Sequence, residues 1–265
     1  MGDGNRHSRQ RTPGMTPSGT RPKLSVNVNK VATLRNSRGG HVPSVTEAVR
    51  VVVDAGAAGI TVHPRADARH ITEEDVRAVA ADLAPLDGRI EFNIEGDPRP
   101  GLVALVLEVR PDQCTLVPVA AGEITSQAGW PADTPPRELS GIVRQLRSAG
   151  IRVSLFIEPE EAPVRWAADM GADRVELYTE PFARAFAAGG TAGADSFARY
   201  EAAARLASRC GLGVNAGHDL DLDNLTLFRT LPHLAEVSIG HALISRALFV
   251  GLDRAVRDYV AAVSG

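Results

Sequence analysis

Apolar and polar positions along the chain repeat as one unit: a short β-branched or apolar run, a polar loop, and an amphipathic stretch closed by glycine. The runs LSVNV (24–28), GITVH (59–63), IEFNI (90–94), QCTLVP (113–118), IRVSLFI (151–157), DRVELY (173–178), LGVNA (212–216) and AEVSIG (235–240) predict eight strands. Helical periodicity predicts helices over 45–56, 73–84, 99–109, 137–149, 160–170, 195–210, 221–230 and 241–250. A last amphipathic piece, 251–263, is expected to close the bottom of the fold or pack outside it. Glycines in DAGA, SAGI, DMGA and RCGL mark helix ends, because glycine accepts a left-handed turn before the next strand. The segment NKVATLRNSRGGHVPS after the first strand reads as a polar loop.

Eight strand–helix units recurring every roughly 20 to 40 residues are what a (β/α)8 TIM barrel requires. A doubly wound open sheet is the structural alternative, but its glycine-rich dinucleotide loop is missing, since SVNVNKVATL holds no glycine. Residues 1–22 are rich in Gly, Pro, Ser, Thr and Arg and nearly free of apolar side chains, so they are expected to be a loose tail outside a single barrel domain of 23–265. Two connections exceed what packing needs. PVAAGEITSQAGWPADTPP after the fourth strand is the lid candidate, and TEPFARAFAAGGTAGAD after the sixth reads as a surface insertion with a short helix at PFARAFA.

Composition narrows the partners. A 265-residue chain that is 44% hydrophobic can bury a full core, and a formal charge of -3 argues against a general nucleic-acid or membrane-surface binder. Cys114 and Cys210 sit in separate apolar segments without metal-like spacing and read as reduced thiols. No apolar run reaches the roughly 20 residues a membrane helix needs, and no hydrophobic leader is present. The expectation is a soluble cytoplasmic protein acting on small molecules.

Chemistry concentrates at the strand ends. In GITVHPRADARHIT, His63, Arg65, Asp67, Arg69 and His70 place five ionisable groups in eight residues between a core strand and a helix capped by Thr72. In a barrel such loops face one common crevice. The other strand ends add Asn27, Asn29, Lys30, Glu95, Glu176, Asn215, His218 and His241, with Thr125 in the long loop. Glu95 closes the apolar run IEFNIE, a desolvated setting that suits a general base. Glu176 lies between Val175 and Leu177, so the two-residue period separates it from its apolar neighbours. NAGHDL and SIGHAL each carry Gly-His ahead of a helical stretch, an arrangement suited to phosphate, and Arg65 and Arg38 stand on the same rim. Taken alone, the ring leaves three further readings open: a metal-dependent hydrolase or lyase using dispersed His and Glu, a Schiff-base aldolase using Lys30, and a noncatalytic binding scaffold.

SVNVNKVATLRNSRGG, GITVHPRADARHIT, CTLVP with EIT downstream, RVSLFIEP, VNAGHDL and SIGHALISRAL together resemble the pyridoxine 5′-phosphate synthase family, in register with all eight strands from Leu24 to Val260. The resemblance implies condensation of 1-deoxy-D-xylulose 5-phosphate with 3-amino-2-oxopropyl phosphate, releasing phosphate and water. It further implies no metal or organic cofactor, and a homo-oligomer, commonly an octamer. By motif, His63 and Glu95 match the family's proton acceptors, His218 its proton donor, and Glu176 a carboxylate that stabilises the transition state. Arg65, His70 and Thr125 match contacts to the deoxyxylulose phosphate, and Asn27, Arg38, Gly240 and His241 contacts to the aminoketone phosphate. The chain departs from the family twice: Asn29 and Lys30 stand where Asp-His is common, and Asp219 where Gly is common. Asn27 and Asn29 share a strand face by the two-residue period and are expected to point into the site together. Asn29, Lys30 and Asp219 are expected to contact substrate, Lys30 at the deoxyxylulose phosphate.

Overall fold

In the computed structural model, which describes residues 21–86, 88–118 and 128–265, eight parallel strands pair in chain order and close into a barrel. They are β1 (Lys23–Asn27), β2 (Gly59–Val62), β3 (Glu91–Gly96), β4 (Gln113–Leu116), β5 (Arg152–Ile157), β6 (Arg174–Tyr178), β7 (Gly213–Gly217) and β8 (Leu234–Ile239). Closure is made by β8 on β1, where Leu24 pairs with Val237 and Val26 with Ile239, so the open-sheet alternative falls away.

Around the strands run α1 (Asn29–Asn36), α2 (Val45–Asp54), α3 (Glu73–Leu83), α4 (Pro100–Val109), α5 (Pro136–Ser148), α6 (Glu161–Asp169), α7 (Glu180–Ala187), α8 (Ala192–Arg209), α9 (Leu225–Phe228), α10 (His241–Val250) and α11 (Leu252–Ser264). Local chemistry sets their ends. Thr72 and Asp75 form a reciprocal capping box on α3, with the Asp75 N–H donating to Thr72 Oγ1 at 3.2 Å and the Thr72 N–H to Asp75 Oδ2 at 2.8 Å. The glycines after α2, α5, α6 and α8 have φ values of 98°, 81°, 79° and 78°, the left-handed turns expected of them. The final helix, α11, packs outside the barrel on β1, α2, α9 and α10, burying Val256 and Tyr259.

Three sequence expectations are corrected. The polar loop after β1 is largely helix: α1 forms over NKVATLRN because Val31 and Ala32 bury against the barrel, a tertiary gain that outweighs a weak local pattern. The insertion after β6 is packed, since α7 buries Phe182 against Phe186, Phe197, Tyr200 and Phe228. The helix expected over 221–230 shrinks to the four residues of α9. The tail 1–20 and residues 119–127 of the lid candidate, with Thr125, lie outside the described residues.

Strand alternation sorts the core into two parts. Val26, Ile60, Val62, Ile94, Leu116, Leu155, Leu177 and Val237 are buried between the sheet and the helices. The alternate set points into the lumen and is polar. Ser25 Oγ lies 2.8 Å from Thr61 Oγ1, and Thr115 Oγ1 donates to Asn93 Oδ1 at 3.1 Å. Asn215 on β7 donates across the barrel to Gln113 Oε1 on β4 at 3.4 Å. Arg152 pairs with Glu91, and Arg174 Nη1 lies 3.7 Å from the same carboxylate. The barrel floor is therefore a hydrogen-bonded ionic layer, and the site rests on it.

Candidate active site

The candidate residues that lie among the described residues, Arg38 and Asn215 excepted, fall at or just beyond the carboxyl ends of the strands, on one mouth of the barrel. The wall made by β1, β2 and β3 is stitched by amides. Asn27 Nδ2 donates to Glu95 Oε2 at 3.4 Å while its Oδ1 accepts the Asn29 N–H at 3.0 Å, and Asn29 Oδ1 accepts the His63 backbone N–H at 2.9 Å. Asn29 thus does not continue the face of β1, which ends at Asn27; it opens α1 and spends its carbonyl oxygen on His63. Gly240, at the end of β8, packs closely on Asn27, where an added Cβ would stand 3.1 Å from the Asn27 Cβ and carbonyl oxygen.

The loop after β2 holds two histidines whose rings meet edge to face with centroids 5.9 Å apart. Burial drives the His63 pKa down to about 3, reinforced by His70, Arg65 and Arg99 and opposed by Asp67. Its Nε2 is buried and has no hydrogen-bond partner among the described residues. Burial likewise lowers His70 to about 4, with Arg65 and Lys30 adding to the shift. His70 Nδ1 accepts the Ile71 N–H at 2.9 Å, so the neutral ring carries its proton on Nε2. Both rings are neutral near pH 7, amid cations. The loop is anchored from below: Arg35 Nη2 donates to Asp75 Oδ2 at 2.9 Å and to the His70 carbonyl at 3.3 Å.

Opposite, β6 carries Glu176 and the turn just after β7 carries His218. Glu176 is only 5% exposed, and burial lifts its pKa to about 7 against the pull of His218 and a hydrogen bond from Thr115. Glu95 is raised well above the usual carboxylate range, first by burial and then by the negative fields of Glu176 and Glu236. Buried carboxylates facing one lumen cannot all ionise, so protons are held here at neutral pH. His218 meets Tyr178 edge to face at 5.2 Å and its Nδ1 lies 2.8 Å from Asp219 Oδ2. His218 and Asp219 have φ values of 90° and 59°. His241 is the first residue of α10 and lowers the Asp219 pKa, as Lys30 does from α1.

Three expectations are revised. Asn215 sits below the mouth, bonded to Gln113 and accepting from Arg174 Nη1 at 3.0 Å. His218 does not precede a helix N-terminus, because α9 begins only at Leu225. Arg38 follows α1 on an exposed stretch, and no described contact joins it to the site. Sequence reasoning missed Glu236, Arg99 and Tyr178. For Glu236 and Tyr178 the signal was the alternation Glu236-Val237-Ser238 and Glu176-Leu177-Tyr178, which marks a polar lumen once the strands are known to close. Arg99, just ahead of α4, lies in neither alternation. Among the described residues no group of three or more His, Cys, Asp or Glu is placed to hold a metal ion, and no helix is long and apolar enough to cross a membrane.

Neutral histidines, proton-holding carboxylates and a cationic rim at the mouth of a closed barrel give a (β/α)8 fold whose mouth is suited to proton transfer. The fold agrees with solved barrels: 3-keto-L-gulonate-6-phosphate decarboxylase from Vibrio cholerae superposes with a TM-score of 0.60 at 12% identity, over 91% of this chain and 98% of that one. Residues 24–265 match the family described as pyridoxal phosphate biosynthesis protein PdxJ, and the chain belongs to that family. It is 52% identical over 241 residues to pyridoxine 5′-phosphate synthase of Bacteroides thetaiotaomicron, covering 89% of this chain and 97% of the relative. The protein of the same name from Leptospira biflexa is 48% identical over 252 residues, covering 91% of this chain and 97% of that relative.

Proposed function

We propose that this chain condenses 1-deoxy-D-xylulose 5-phosphate with 3-amino-2-oxopropyl phosphate into pyridoxine 5′-phosphate, releasing phosphate and water, as a pyridoxine 5′-phosphate synthase of vitamin B6 biosynthesis. The observation that carries the reading is the meeting of two proton-handling walls at one mouth, His63 with Glu95 and Glu176 with His218. Imine formation, phosphate loss, ring closure and dehydration are successive proton transfers, and each needs a group that can hold or accept a proton near neutral pH. His63, neutral and with a free buried Nε2, is a proton acceptor in place. Glu95 is the second acceptor by motif, and it accepts only after releasing the proton that burial holds on it, with Asn27 Nδ2 donating to its Oε2. Glu176 stabilises charge as the ring closes, and His218 returns protons to leaving oxygens.

Binding follows the cations. Lys30 makes no hydrogen bond or ion pair among the described residues, stands near His70 and Asp219, and with Arg65 and His70 suits the deoxyxylulose phosphate. Asn27, Gly240 and His241 line the adjoining arc for the aminoketone phosphate. Thr125 and Arg38 belong to these two subsites by motif. Leu248 and Phe249, 70% and 88% exposed at the end of α10, support a homo-oligomer that covers them, and we take that assembly to act in the cytoplasm.

The purified protein mixed with both phosphorylated substrates is expected to form pyridoxine 5′-phosphate, detected by absorbance and mass, and Glu95→Gln to lose at least about a hundredfold in kcat. No product under any condition would overturn the reading. Light scattering that finds a monomer would remove the oligomer.

A further inference from the structure

The geometry points to Asp219 as a positioning residue for His218: its carboxylate accepts the Nδ1 proton and thereby leaves proton exchange with substrate to Nε2. This rests on the reading of His218 as the proton donor and adds the residue that orients it. The carboxylate oxygen lies 2.8 Å from His218 Nδ1, a charge-assisted hydrogen bond between adjacent residues. Side chains of neighbouring residues rarely meet this way, because extended or helical backbone sends them apart. Here both residues take positive φ, 90° and 59°, which turns the imidazole and the carboxylate toward each other.

The strained pair is held from three sides. The Thr179 hydroxyl donates to the Gly217 carbonyl at 2.7 Å and also to the His218 carbonyl. Asn224 Nδ2 donates to the Asp219 carbonyl at 3.1 Å. Tyr178 closes the ring's other flank. Backbone strain of this kind persists where surrounding bonds over-determine it, and it gathers at functional sites. With Nδ1 engaged, Nε2 is the ring nitrogen free to exchange a proton with substrate.

The charged and titratable neighbours agree with that assignment. Asp219 is pulled below the usual carboxylate range first by His218, then by His241 and Lys30, so it is an anion whenever His218 must carry charge. Glu176 from β6 faces His218 as well; burial lifts its pKa to about 7, and the attraction of His218 opposes part of that rise. The tautomer of a histidine is set by the hydrogen bond its second nitrogen makes. The field of Lys30 on α1 reaches Asp219 after β7.

The test uses the full chain, free of substrate for one measurement and turning over for the other. Nitrogen-15 shifts of the His218 ring are expected to show the Nδ1–H tautomer in the neutral native protein, and the Nε2–H tautomer to rise in Asp219→Gly. Glycine adopts the left-handed backbone without strain, so the variant keeps the turn. In turnover, kcat is expected to drop roughly tenfold with KM within about twofold, less than removal of a proton donor costs. An unchanged tautomer or an unchanged kcat in Asp219→Gly overturns the proposal. If the native protein forms no product, the functional reading fails, while the tautomer comparison still decides whether Asp219 positions the ring.

Discussion

Gly217 and Glu176 share one volume: a Cβ built on Gly217 would overlap Glu176 Oε1 and approach the Ser238 carbonyl oxygen at 3.2 Å. Glycine on β7 therefore makes room for the carboxylate of β6, which is its neighbour in the sheet. Gly217→Ala is expected to push the flexible carboxylate aside at about 1–3 kcal/mol of stability. Because that carboxylate faces the proposed reacting centre, kcat should fall at least about tenfold with the barrel still folded. Thermal melting and steady-state kinetics on the same preparation check it, and a variant with native kcat would show that Glu176 need not occupy this position.

Asn29 holds the first strand's loop to the second strand's end through the 2.9 Å bond from the His63 N–H. Asn29→Ala leaves that partly buried donor without its acceptor and is expected to cost about 1–3 kcal/mol. Asn29→Asp preserves an acceptor oxygen and is expected to keep most of the stability. Denaturant titration of both variants separates them, and equal losses would mean that the bond is incidental.

The barrel was legible in the chain because eight runs such as GITV and RVSLFI alternate with helices that end at glycine, a pattern set locally. α1 was not legible, since Asn29–Asn36 is polar in sequence and becomes helical only when Val31 and Ala32 find the barrel wall. The two walls of the site were visible as ionisable residues at strand ends. The polar lumen was not: deciding that Glu236 and Arg174 point inward requires knowing that the sheet closes. The pairing of Asp219 with His218 depends on two positive φ angles that no periodicity encodes.

Lys30 acts electrostatically on the neutral His70 and on the Asp219 carboxylate, and makes no hydrogen bond or ion pair among the described residues. As a phosphate anchor it should act on affinity more than on chemistry. Lys30→Met, which keeps the length and loses the charge, is expected to raise KM for the deoxyxylulose phosphate roughly tenfold or more, with kcat changed less than about threefold. Borohydride added with that substrate is expected to trap no covalent adduct. A trapped adduct on Lys30 would assign it a covalent role instead, and an unchanged KM would remove it from the site.

Glu236, buried on β8, is pushed up to about 8 by burial and Glu91, against the pull of Arg174 and Arg152. In the unfolded chain its carboxyl ionises near 4.5, so between about 4.5 and about 8 the folded protein holds a proton that the unfolded chain has lost. Stability contributed at low pH therefore declines as pH rises through that window and is flat beyond it. His63 and His70 act in the opposite sense: folded values of about 3 and about 4 against 6.5 unfolded mean that stability falls as pH drops below 6.5. That second effect is common to the native chain and a Glu236 variant, and it cancels in their difference. Glu236→Gln is uncharged at every pH, so its stability relative to the native chain is expected to improve between pH 5 and pH 8. The change should be on the order of a few kcal/mol at most, because the carboxylates are coupled. Paired melting curves across that range decide it: a difference independent of pH would mean that Glu236 is ionised throughout and is held by Arg152 and Arg174 as an ordinary ion pair.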